Sequence, residues 1–181
     1  GDPLPALKQL AASGGFTMSY LASAADGATV FSNGFEAPAD FDPRERPWYR
    51  QAVEAGGPIV TQPYVDVATD ALVVTLATPV ERDGRLIGVV GGDVAIGTII
   101  ETVRGIAPTP ASFAFLAAAD GTLIAHPDPA LSLEPVSTLT PELDDRRLTE
   151  LAAAEAPRAM TLGDQALRLL AEPIAGTDWQ L

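Results

Sequence analysis

Short apolar runs broken by turn residues dominate the chain. MSYLAS (18–23) and FAFLAA (113–118) are aromatic-led, and each leads into Asp-Gly, at Asp26-Gly27 and Asp120-Gly121. Asp-Gly between apolar runs predicts a hairpin, because both residues tolerate the positive φ that tight turns need. Asp83-Gly84 lies in the same way between ALVVTLATPVE and RLIGVVGGDV, and Gly163-Asp164 between RAMTL and QALRLLAEPI. Helical patterns are fewer. One covers Pro47–Ala55 and stops at Gly56-Gly57; another covers 146–156 and stops at Pro157; 97–105 reads as a short connecting helix.

The punctuation repeats. Ala25-Asp26-Gly27 recurs as Ala119-Asp120-Gly121, and LATPV (76–80) recurs as LAEPI (170–174), both at an offset of 94. Two separate anchors at one offset predict two tandem copies of one module. Antiparallel hairpins with helices and loops beside them predict an α+β class, with two sheets of about five strands. The expected division is 1–106 and 107–181.

Composition narrows the function classes. The 181 residues are 47% apolar, which fits a globular chain. The 24 acids against 11 bases give a net charge of −13, which repels phosphate backbones and argues against nucleic acid and anionic lipid as partners. Without cysteine there are no disulfides, thiolate metal sites or Cys nucleophiles. His126, the single histidine, stands in AHPDP and reads as a turn residue; no metal or cofactor is expected. The longest near-apolar run, 86–100, is interrupted by Asp93 and four glycines and reads as strand plus turn, not a membrane span. No signal-peptide pattern is visible, and the sequence stops at Leu181 as if inside a strand, so it reads as a piece of a longer protein.

The chemistry concentrates in the first copy. Arg46, Trp48 and Tyr49 stand in FDPRERPWY (41–49), Tyr64 and Asp66 in TQPYVD (61–66), and Asp93 in GGDV (91–94). A free amino acid needs these groups. A guanidinium fork and an indole N–H suit its carboxylate; carboxylates, a phenol and an aromatic face suit its ammonium. Each residue also has a plainer reading. Arg46 can pair with Asp40 or Asp42, Trp48 can be core, and Tyr64 with Asp66 can be a strand end with a solvated acid. Asp93, a lone acid in an apolar strand, must be exposed, paired or functional. A two-residue turn at Asp83-Gly84 sets Asp93 opposite Val74, unless Gly91-Gly92 forms a bulge that flips the register. A glycosidase pair of Asp66 and Asp93 lacks a long aromatic cleft. At the offset of 94, Arg46 becomes Thr140, Trp48 becomes Glu142, Tyr64 becomes Arg158 and Asp66 becomes Met160, so copy two is expected to lack the binding set and to act as a spacer or transmitter.

FDPRERPWYRQA, TQPYVD and ALVVTLATPVERDGRLIGVVGGDV together resemble the double Cache sensor domain, a PAS-like family of bacterial chemoreceptors, sensor kinases and cyclic-dinucleotide enzymes. ADGTLIAHPDP and GTDWQL extend the likeness to the second copy. The resemblance implies an extracytoplasmic, non-enzymatic sensor, with a membrane-distal ligand-binding module and a membrane-proximal one. Transmembrane segments would lie outside this sequence, and the full receptor would be a homodimer. It implies a pocket of Arg46, Trp48, Tyr49, Tyr64, Asp66 and Asp93 for a free amino acid, the alternatives being an amine or purine ligand, or a ligand-free dimerisation or spacer module. Phe41 stands where the family's amino-acid binders carry a tyrosine, so one hydroxyl to the ligand carboxylate is missing. Residues 5–12 would be the remnant of the family's N-terminal stalk helix.

Overall fold

The computed structural model describes residues 1–154, 156–162 and 165–181. The chain divides into two units, Gly1–Ile96 and Gly97–Leu181, so the boundary falls before the connecting helix and not at 106.

In the first unit the order is α1 (Leu4–Gly14), β1 (Met18–Ser23), β2 (Thr29–Phe31), α2 (Pro47–Ala55), β3 (Ile59–Val60), β4 (Tyr64–Val65), β5 (Leu72–Arg82) and β6 (Arg85–Ala95). One antiparallel six-stranded sheet runs β2-β1-β6-β5-β3, with β4 also on β5. Asp83 and Gly84 take φ of 52° and 72°, the conformation a two-residue primed turn requires, and join the two longest strands. The first hairpin is looser. Gly27 alone has positive φ there, and the Asp26 carboxylate accepts from the Ala28 N–H.

The β5–β6 register departs from simple counting. Arg82 pairs with Arg85, but the ladder shifts between Val80 and Glu81, and Asp93 pairs with Thr75 instead of Val74. The irregularity is therefore at the turn end of the hairpin, beside exposed Ile87. Gly91 and Gly92 form no bulge. They pair regularly with Tyr20 and Ser19 of β1, and their missing side chains admit the rings of Tyr20 and Phe16.

Alternation along β1 turns Met18, Tyr20 and Ala22 into the core, where they meet Phe31, Trp48, Tyr49 and Ala52. Helix α2 starts with Pro47 in its first turn, where no N–H partner is needed, and ends on Gly56 at φ 61°. Its buried face is Trp48, Tyr49 and Ala52.

The second unit follows with α3 (Ile96–Arg104, whose first residue closes the first unit), β7 (Leu116–Ala118), β8 (Leu123–Ala125), α4 (Asp145–Ala154), β9 (Arg158–Leu162), β10 (Gln165–Leu169) and β11 (Trp179–Gln180). Its five strands among the described residues are divided over a three-stranded sheet, β11-β7-β8, and a two-stranded pair, β10-β9. The repeat is visible in the elements. β2 and β8 lie 94 residues apart at both ends, and β6 and β11 start 94 apart, at Arg85 and Trp179. Leu123, Val136, Leu143, Leu148 and Leu151 form the second core. The Gly163-Asp164 turn and Glu155, near the end of the predicted second helix, lie outside the described residues. No helix among the described residues is long and apolar enough to cross a membrane.

Candidate functional site

The first unit carries a narrow cleft lined by Tyr20, Phe41, Arg46, Trp48, Tyr64 and Asp66, with Met18, Phe31 and Val67 beside them. β1 and β2 supply the floor, the start of α2 one wall, and the stretch from β4 to Val67 the other.

Arg46 precedes α2 and is half-buried. Its plainer reading, an ion pair with Asp42, does not hold, because Asp42 pairs with Arg44 at 2.7 Å and also accepts from the Arg44 backbone N–H. Arg46 has no ion-pair partner among the described residues, and it lines the cleft. Trp48 is 3% exposed and packs on Tyr20 with ring centroids 4.7 Å apart. Phe41 packs against Phe31 at 6.3 Å and closes the same side.

Tyr49 does not line this cleft. Neighbouring helix residues point about 100° apart, so with Trp48 on the cleft, Tyr49 turns into the core behind it, ring centroids 5.6 Å away. Its buried hydroxyl has no hydrogen-bond partner among the described residues, and burial pushes its pKa up.

Across the cleft, β4 alternates as expected: Tyr64 faces in, Val65 is exposed, and Asp66 faces in again. Asp66 is 6% exposed. Its Oδ2 accepts from the Thr69 N–H at 3.0 Å and the Thr69 hydroxyl at 2.7 Å. Oδ1 has no such partner among the described residues.

Asp93 is not on the cleft surface but just behind it, 1% exposed. Its Oδ1 accepts from the Tyr20 hydroxyl at 2.7 Å and the Thr75 hydroxyl at 2.6 Å. Thr75 thereby spends its one proton, so the 2.6 Å contact with Tyr64 has the Tyr64 hydroxyl donating. A chain results, Tyr64 to Thr75 to Asp93, with Tyr20 donating from the other side. Asp93 Oδ2 is buried without a hydrogen bond among the described residues. Desolvation outweighs the two donated bonds and pushes the Asp93 pKa from the usual 3.8 up to about 6. Burial, then the nearby Asp93 charge, hold the Tyr20 phenol well above 10 and push Tyr64 to about 12, so both remain donors at neutral pH.

Arg46 and Asp93 are not paired with each other, the pairing expected of a ligand-free module, although the cleft itself is narrow. Tyr20 and Thr75 are the partners of Asp93 that motif reading missed. The alternation of β1 points Tyr20 inward, and the Gly91-Gly92 pair was a sign that something approaches that strand closely. A Cβ on Gly91 would lie 2.9 Å from Tyr20 Cζ and 3.1 Å from its hydroxyl. Gly91→Ala is therefore expected to cost about 1–3 kcal/mol by overpacking, read as a fall in Tm. Gly97→Ala, with nothing within 4 Å, should not lower it.

His126 is 9% exposed, and its Nδ1 accepts from the Asp128 backbone N–H at 2.9 Å, as a turn residue does. Among the described residues no acid–histidine group could hold a metal.

Comparison with known proteins gives these features a context. Residues 5–181 match the Cache domain family. McpA of Pseudomonas putida, a methyl-accepting chemotaxis protein, is 35% identical over 179 residues, 97% of this chain and 27% of McpA. The chain spans about a fifth to a quarter of the length of the curated relatives it matches first. The ligand-binding domain of the Pseudomonas fluorescens chemoreceptor CtaA, solved with L-isoleucine, superposes with a TM-score of 0.79 at 30% identity, over 98% of this chain and 71% of that one. That of the Pseudomonas aeruginosa amino-acid chemoreceptor PctB, with L-Gln, gives 0.76 at 30% identity, over 98% and 71%. With a match from residue 5 to residue 181 and the tandem α+β repeat beneath it, the chain belongs to the Cache domain family.

Proposed function

We propose that this chain is the extracytoplasmic sensor domain of a bacterial signal-transduction receptor, not an enzyme, and that its first unit, the membrane-distal module, binds a free amino acid or close analogue. One observation carries the reading. Arg46, without an ion-pair partner among the described residues, shares one cleft with Asp66, whose Thr69 hydrogen bonds both go to Oδ2, and behind them lies the buried Asp93 Oδ2, unpartnered among the described residues. Arg46 and the Trp48 indole would hold the ligand carboxylate. Asp66, Asp93 and Tyr64 would hold its ammonium, with Tyr20 and Thr75 keeping Asp93 in place. Amino acids bound to CtaA and PctB support the same chemistry here.

The free space in the cleft is about 10 Å³, roughly one water. An amino acid therefore requires the long connection between β2 and α2, which carries Phe41 and Arg46, to move outward. Two arrangements of that connection, one selected by ligand, supply a signal that a receptor can transmit.

A thermal-shift screen over amino acids, amines and organic acids tests the reading. Ligand at a hundred times its Kd adds about 2.7 kcal/mol, roughly 5–10 °C in Tm for a chain this size. Stabilisation by an amino acid is expected; no shift with any of them contradicts the proposal.

A further inference from the structure

The second unit contains a cavity of about 210 Å³ between β9–β10 and the segment before α4. The repeat shows what it is. Met18, Arg46 and Asp66 line the cleft of the first unit, and their counterparts 94 residues on, Ser112, Thr140 and Met160, all line this cavity. The correspondence is partial, since the counterparts of the other six cleft residues do not line the cavity, and the chemistry of the two spaces differs. Arg46 has become Thr140, Asp66 has become Met160, Thr75 has become Leu169, and the cavity wall is completed by Phe115 and Leu143. The charged counterparts of Trp48 and Tyr64, Glu142 and Arg158, are exposed and line nothing here. Arg168 is the one charged residue of the lining, and it is exposed, alternating along β10 with half-buried Leu167 and Leu169.

A cation placed against such walls would lose its hydration without a partner, and an anion would find only the exposed Arg168. A neutral molecule meets neither difficulty. Thr140 is 7% exposed and lines the cavity, and its hydroxyl has no hydrogen-bond partner among the described residues. We infer that the second unit is not only a spacer but holds a ligand site of its own, for an uncharged, mainly apolar molecule of about six to ten heavy atoms with one hydrogen-bonding group for Thr140. A single chain would then read a polar amphoteric ligand in one copy and a neutral apolar one in the other.

The chain has two methionines, and each lines one of the two sites: Met18 the cleft, Met160 the cavity. Protein labelled with ¹³C at the methionine methyls therefore reports on both sites in one spectrum, assigned with Met18→Leu and Met160→Leu. Titration with indole and with 1-hexanol is expected to move the Met160 signal saturably and leave Met18 in place. Hexylammonium, a charged counterpart, should bind at least about tenfold more weakly, because the lining holds no acid. Thr140→Val, which keeps the shape and removes the hydroxyl, should weaken indole about threefold to tenfold. Leu169→Phe, which fills the cavity, should abolish the response, and far-UV circular dichroism and a Tm matching the parent's show that the variant is folded. A Met160 signal unmoved by either neutral probe at millimolar concentration overturns the inference. So does a response that survives Leu169→Phe, or one that Met18 shares. Amino-acid binding is read separately at Met18, so failure of one site is distinct from failure of the other.

Discussion

Asp93→Asn is expected to lower amino-acid affinity by about 2–5 kcal/mol, which abolishes micromolar binding. The same change should make the ligand-free protein relatively more stable as pH rises. The two effects have one cause. Asp93 is buried with one oxygen accepting from Tyr20 and Thr75 and the other without a partner. The fold holds its pKa at about 6, above the usual 3.8. Between those values the native state binds more protons than the unfolded state, so stability falls as pH rises. The favourable contribution of neutral Asp93 is fully present below about pH 4 and lost as pH passes about 6. A shift of this size corresponds to about 3 kcal/mol. Asparagine keeps the acceptor and cannot ionise, so the variant-minus-parent stability should grow by about that amount from pH 4 to pH 8. Urea unfolding of both proteins across this range measures it, and a difference that does not vary with pH would contradict it. An ammonium ligand reverses the sign. It favours the ionised carboxylate, so affinity in the parent should fall about tenfold from pH 7.5 to pH 5.

Arg46→Gln separates the carboxylate half of the site from the ammonium half. Arg46 makes no ion pair among the described residues, so its loss should change stability by no more than about 0.5 kcal/mol. It is the one cationic group of the cleft lining. Removing it leaves a ligand carboxylate desolvated and unpaired, at a cost of about 2–5 kcal/mol. The corresponding decarboxylated amine has nothing to lose there and escapes a fixed like charge, so its affinity should rise. Calorimetry of one amino acid and its amine against both proteins reads the difference. Equal changes for the two ligands would show that Arg46 does not face the carboxylate and would favour the amine reading.

Much of the fold was legible because its signals are local. Asp83-Gly84 specifies its turn through φ alone, Pro47 and Gly56 bracket α2, and the repeated Ala-Asp-Gly and Leu-Ala-x-Pro anchors reveal the tandem copies. The register of Asp93 was not legible. One extra residue near Ile87, at the turn end of the hairpin, moves every later pair by one, and no residue type there announces it. Tyr49 shares the buried side of α2 with Trp48 but points about 100° away from it, so adjacency in sequence did not bring it to the cleft lining. Tyr20 and Thr75 lie outside the motif, and the sheet brings them to Asp93 from 73 and 18 residues away. The freedom of Arg46 was equally hidden, since it depends on Arg44 taking Asp42 first.

The most direct test is a crystal structure of the chain grown with the amino acid that most raises its Tm. The account predicts ligand density in the first-unit cleft, with the carboxylate on Arg46 and Trp48, the ammonium on Asp66 and Asp93, and the connection carrying Phe41 displaced outward. A ligand bound elsewhere, or bound there with its ammonium away from both acids, would contradict it.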